Sequence, residues 1–78
     1  MSDERALALL ALLAEEDGVP IHRATKRLGI PLSEMTRLLT ALGDDARYDG
    51  LDLVTARAEG DRTTLWLTDK GRALCRRT

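Results

Sequence analysis

With 78 residues the chain has room for one small domain, expected to bury only about 60 to 65% of the surface that its unfolded form exposes. Hydrophobic residues make up 44% and charged residues 32% of it, a balance that excludes both a disordered chain and a membrane-embedded one. The net charge of −1 argues at first against a polyanionic partner, and the single cysteine, Cys75, excludes an internal disulfide and fits a reducing, cytoplasmic location.

There is no Phe and only one Trp and one Tyr, so the core has to be aliphatic. A first helix is predicted from Ser2, a good N-cap, with Asp3 and Glu4 in a first turn whose dipole favours acids, and it ends at Gly18 and Pro20. Its apolar run, residues 6–14, is too short to cross a bilayer and follows acids where a signal peptide carries positive charge. Leu7, Leu9, Leu10, Leu12 and Leu13 cover well over half the helical circumference. Such a width implies either burial on two sides, against a second protomer or a partner, or a small core wrapped closely round this helix.

A second helix follows Pro20, with Ile21, Ala24, Thr25 and Leu28 inward and Arg23, Lys26 and Arg27 outward. Gly29 supplies the positive φ that a tight interhelical turn needs, and Ile30 tucks beneath the angle. Pro31 starts a third helix, residues 32–42, with Met35, Leu38, Leu39 and Leu42 on one face and Ser33, Thr36, Arg37 and Thr40 on the other. Short hydroxyls around one long cation let a helix backbone sit deep in a major groove while the cation reaches a base edge or a phosphate; the same pattern is also common on plainly solvated helices.

Residues 43–50 carry no period and read as a loop whose acids would repel phosphate. Leu51, Leu53 and Val54 begin a first strand, residues 58–61 with Gly60 make the turn, and residues 62–67 return with Leu65 and Leu67 inward. That alternation leaves Trp66 outward, either as a protomer contact or as a cover for arginine stems. Thr68 caps a last helix, with Asp69 in its first turn and Arg76 and Arg77 near its end. The fold class expected is mainly α: three core helices, a C-terminal helix, and strand limited to a two-stranded wing.

Charge is segregated along this plan. Residues 1–20 carry five acids against Arg5, residues 21–42 carry Arg23, Lys26, Arg27 and Arg37 against Glu34, and residues 69–78 carry Lys70, Arg72, Arg76 and Arg77 against Asp69. Local fields rather than the net sum steer a polyanion to one face. A helix-turn-helix followed by a charged hairpin is the arrangement with which winged-helix domains grip duplex DNA.

The segment Leu28-Gly29-Ile30-Pro31-Leu32-Ser33-Glu34-Met35-Thr36-Arg37-Leu38-Leu39 resembles the turn and recognition helix of the MarR family of transcriptional regulators. Asp61-Arg62, Leu65, Leu67-Thr68 and Gly71-Arg72 resemble that family's wing and following helix. The resemblance spans about residues 20–75; its helix-turn-helix part is shared with IclR-like and other winged families. It implies that Arg62 enters the minor groove, oriented by Asp61, and that Ser33, Thr36 and Arg37 meet the major groove. Pro31 stands where the family often has a serine cap, and residues 43–50 are longer than its usual link to the wing. The long helices that dimerise such regulators have no counterpart here and their effector pocket has no room, so ligand sensing is not carried over. A dimer would use helix one, the last helix or Trp66.

Catalytic groups do not converge anywhere in the sequence. His22 has no Cys or carboxylate at metal spacing, Cys75 reads as a semi-buried packing residue, and neither a phosphate loop nor a zinc pattern occurs. No enzyme activity, cofactor or membrane partner is expected. The expectation is double-stranded DNA binding through Arg23, Lys26, Arg27, Ser33, Thr36, Arg37, Thr40, Arg57 and Arg62. The alternative is a winged-helix protein-interaction module that uses helix one and Trp66.

Overall fold

The computed structural model describes residues 3–43, 47 and 50–76. Its elements are helix α1 (Asp3–Glu15), strand β1 (Val19–Pro20), helices α2 (Ile21–Leu28) and α3 (Leu32–Leu42), strands β2 (Val54–Glu59) and β3 (Arg62–Leu67), and helix α4 (Asp69–Arg76). The expected cap at Ser2, the acids Asp44 and Asp45, and Arg77 lie outside the described residues.

The mainly helical winged architecture is the expected one, with a strand added. Antiparallel pairing of Val19 with Leu65 and of Pro20 with Thr64 makes a three-stranded sheet in the order β1-β3-β2. Strand is therefore not confined to the wing. Two residues carry no alternation to read, and Pro20, which has no N–H to donate, is tolerated because β1 is an edge strand. The wing is also longer than expected: β2 runs through Ala58 to Glu59, and Glu59 pairs with Arg62, leaving only Gly60 and Asp61 in the turn. Gly60 has φ +62° with open space around it, so it serves the turn's backbone conformation and not a close contact.

Helix one resolves in favour of the wrapped core. Leu9, Leu10, Leu12 and Leu13 are all buried, against Val19, Ala24, Ile30, Met35, Leu42, Leu53, Val54, Leu65 and Leu67 from every other element except α4. Leu7 alone of the five leucines faces out, at 64% exposure. Leu51 is likewise exposed and does not begin a strand. Residues 51–53 instead cross the end of α3, where the N–H groups of Leu51, Asp52 and Leu53 donate to the carbonyls of Ala41, Gly43 and Leu42. These bonds satisfy carbonyls that a helix end leaves open.

Thr68 caps α4 as its sequence suggests. Its hydroxyl accepts from the Gly71 N–H at 3.0 Å and donates to the Asp52 carbonyl at 2.6 Å. Gly71 is the closest approach in this corner: a Cβ there would stand 2.2 Å from the backbone oxygen of Leu53, which already accepts the Thr68 N–H. Helix propensity alone would make Gly71→Ala stabilising by about 1 kcal/mol. Overlap with a fixed carbonyl costs roughly 1 to 3 kcal/mol or more. Urea unfolding should therefore show a net loss; a gain in stability would mean that α4 shifts freely on the 51–53 segment.

Candidate nucleic-acid interface

Gly29 takes φ +65° and closes the turn between α2 and α3, with the Ile30 N–H donating to the Thr25 carbonyl at 3.2 Å. Ile30 is buried beneath the angle and Pro31 is the residue that enters α3. Met35 and Leu42 are fully or nearly fully buried, with Leu38 and Leu39 half-buried, so the opposite face of α3 is fixed outward. On that face Ser33, Thr36, Arg37 and Thr40 are all exposed. The hydroxyls of Thr36 and Thr40 donate to the carbonyls of Leu32 and Thr36, each at 3.0 Å. Leu32 stands half-exposed at the start of this helix.

On α2, Arg23, Lys26 and Arg27 are exposed. Arg23 is held: its guanidinium donates to Glu16 at 2.7 Å. Two further pairs bind the corners of the fold, Arg72 to Asp17 at 3.2 Å and Arg5 to Glu34. Among the described residues, Lys26, Arg27, Arg37, Arg57 and Arg62 make no ion pair. Glu16, Asp17 and Glu34 are thus paired within the protein, while these five cations of the helix-turn-helix and the wing stay free.

The β2–β3 register pairs Thr55 with Trp66, Arg57 with Thr64 and Glu59 with Arg62. Directly paired residues share a sheet face, so Arg57 and Arg62 project from one side of the wing, the side opposite buried Leu65 and Leu67. Glu59 is the cross-strand neighbour of Arg62; among the described residues no ion pair joins Asp61 to Arg62. Trp66 lies at the root of the same face, and there the outward expectation is corrected. The Trp66 ring is half-buried against the α1–β1 turn, where a Cβ on Gly18 would fall 2.8 Å from it, and Nε1 is enclosed without a partner among the described residues. The alternation did put it on the far side of the sheet, but the turn at Gly18 covers that side.

His22 is exposed on α2, and no grouping of three metal-ligating side chains occurs among the described residues. Cys75 is half-buried, with its sulfur 3.9 Å from the Leu10 carbonyl. No described helix is long and apolar enough to cross a membrane.

A helix-turn-helix whose second helix keeps a polar outer face, joined to a projecting two-stranded arm on a third short strand, defines a winged helix-turn-helix domain. The chain belongs to the IclR helix-turn-helix domain family, whose model matches residues 3–44. Over nearly the whole chain its fold is that of MarR-family regulators. A MarR family transcriptional regulator from Silicibacter pomeroyi DSS-3 superposes with a TM-score of 0.71 at 32% identity, covering 94% of this chain and 48% of that one. The PcaV transcriptional regulator from Streptomyces coelicolor, solved in complex with its natural ligand, gives a TM-score of 0.74 at 24% identity, covering 99% of this chain and 52% of that one. The chain thus spans about half the length of both. No curated protein matches it.

Proposed function

We propose that the protein is a small transcriptional regulator of the cytoplasm that binds duplex DNA, with α3 in the major groove and the wing on the flanking minor groove. The carrying observation is that Arg37, Lys26, Arg27, Arg57 and Arg62 stay unpaired on the helix-turn-helix and the wing while, among the described residues, Arg5, Arg23 and Arg72 are ion-paired. Lys26 and Arg27 contact phosphates and set register, joined by Arg23 when phosphate replaces Glu16; an exposed pair of this kind contributes about 0 to 1 kcal/mol, so the exchange is cheap. Ser33, Thr36, Arg37 and Thr40 face base edges, and Arg57 and Arg62 track the neighbouring minor groove or its backbone. The domain regulates by occupying its site and performs no catalysis.

A homodimer would seat its partner on α1 and α4, where exposed Leu7 and Leu74 line one groove with Ala11 and Ala14. It would require an inverted repeat with half-sites about one helical turn apart. The same groove is what a protein-docking module would use.

Fluorescence anisotropy on a mixed-sequence duplex of roughly 25 base pairs at about 50 mM salt tests the reading. Binding supports it, and none at low salt transfers the function to the docking groove. Two variants then separate the parts. Arg62→Ala should weaken every sequence alike and flatten the salt slope by about 1. Arg37→Ala should preferentially weaken the selected site, by about 1 to 3 kcal/mol for a lost bidentate base contact. Equal losses on selected and mixed sequences would remove Arg37 from base readout.

A further inference from the structure

On top of the DNA-binding reading, we infer that α3 recognises thymine methyl groups through one apolar flank, made by Leu32, Thr36 and Thr40. These residues lie four apart, so they form one row on the helix surface. The row is about 12 Å long at the helical rise, which matches roughly three base-pair steps of about 3.4 Å. Leu32 is 50% exposed, on a helix whose other large apolar side chains turn inward.

The two threonines contribute methyls and not hydroxyl donors. Each hydroxyl proton is committed to the helix's own backbone, Thr36 to the Leu32 carbonyl and Thr40 to the Thr36 carbonyl. With the oxygen turned toward the preceding turn, the group each exposed threonine offers outward is its methyl. At about 100° per residue, Ser33 and Arg37 follow this row round the same face. The outer face of α3 is therefore divided, with alkyl groups on one flank and the Ser33 and Arg37 donors on the other. In the major groove the only apolar feature of a base edge is the C5-methyl of thymine, and guanine supplies the paired acceptors that suit an arginine. Free Lys26 and Arg27 on α2 give the surroundings the positive charge that a phosphate backbone requires. The occupant this divided face fits is a duplex with thymines in the groove beside a guanine.

The test takes the best duplex selected from a randomised pool and remakes it with deoxyuridine for thymine, which deletes only the methyls. Anisotropy titrations of the unmodified protein should show a loss of about fourfold for each contacted thymine, the worth of one buried methyl-sized group. Leu32→Ala and Thr36→Ser should each shrink the thymine-over-deoxyuridine ratio by about that factor, whereas Thr36→Val, which keeps the methyl and drops the hydroxyl, should preserve it. Equal affinity of the unmodified protein for the two duplexes overturns the inference while leaving DNA binding intact. Absence of duplex binding at low salt overturns the DNA reading itself, and the inference with it. The comparison of two duplexes on the unmodified protein needs no variant to fold.

Discussion

Raising the salt from about 50 to about 200 mM is expected to weaken binding to a mixed-sequence duplex roughly 150-fold, the effect of a slope near −3.6 for four neutralised phosphates. The number four comes from the unpaired cations of α2 and the wing that the proposed geometry puts on the backbone: Lys26, Arg27, Arg57 and Arg62. A chain of net charge −1 can present a positive face because acids next to that face are held within the fold. Glu16 and Asp17 hold Arg23 and Arg72 at the end of α1, and Glu34, the one acid on α3, is held by Arg5. The residual charge over α2 and α3 is positive although the sum is not, the wing balancing Arg57 and Arg62 with Glu59 and Asp61, and a polyanion responds to that local field. Glu59 works in the opposite sense, since it sits directly across from Arg62 at the wing tip. A loss of less than about tenfold over the same salt range would leave fewer than two of these cations on phosphate, and the joint footprint of helix and wing would fall.

The parts of this interface that sequence patterning exposed are those with a strong local period. The inward leucines and methionine of α3 specify which residues face out, and Gly29 and Pro31 punctuate the turn, so Ser33, Thr36, Arg37 and Thr40 fall on an exposed face. Strand β1 had no such signal. It exists because Val19 meets Leu65 across the fold, a tertiary pairing that two residues ending in proline do not announce. The alternating leucines at 51 and 53 suggested a strand start, but the backbone donors there are taken by the last carbonyls of α3, and the strand begins only at Val54. Trp66 was assigned to the correct side of β3, yet its environment depends on where Gly18 brings the α1–β1 turn. Which arginines are free for a ligand is also a tertiary matter: Arg23 and Arg27 look alike in the helix period, and only the fold gives Arg23 a carboxylate. The exposure of Leu32 is likewise a tertiary matter, since an apolar residue at a helix start carries no period that sets which way it faces.

Leu9→Ala should cost about 2 to 5 kcal/mol, the range for a leucine deleted from a closed core, and lower the melting midpoint by roughly 10 °C or more in a domain this small. Leu9 is fully buried, and α1 packs against α2, β3 and α4, so the cavity would open between elements that hold both the helix-turn-helix and the wing. Total stability near 4 to 12 kcal/mol is expected for 78 residues, which makes this single change a large share of it. Leu7→Ala, two residues earlier on the same helix and 64% exposed, should stay within about 0.5 kcal/mol. Thermal unfolding followed by circular dichroism reads both. Equal small effects would mean that α1 is not the centre of the core. A Leu7→Ala loss that grows with protein concentration would instead be the mark of a second copy seated on α1, because only an associating chain has a stability that depends on its own concentration.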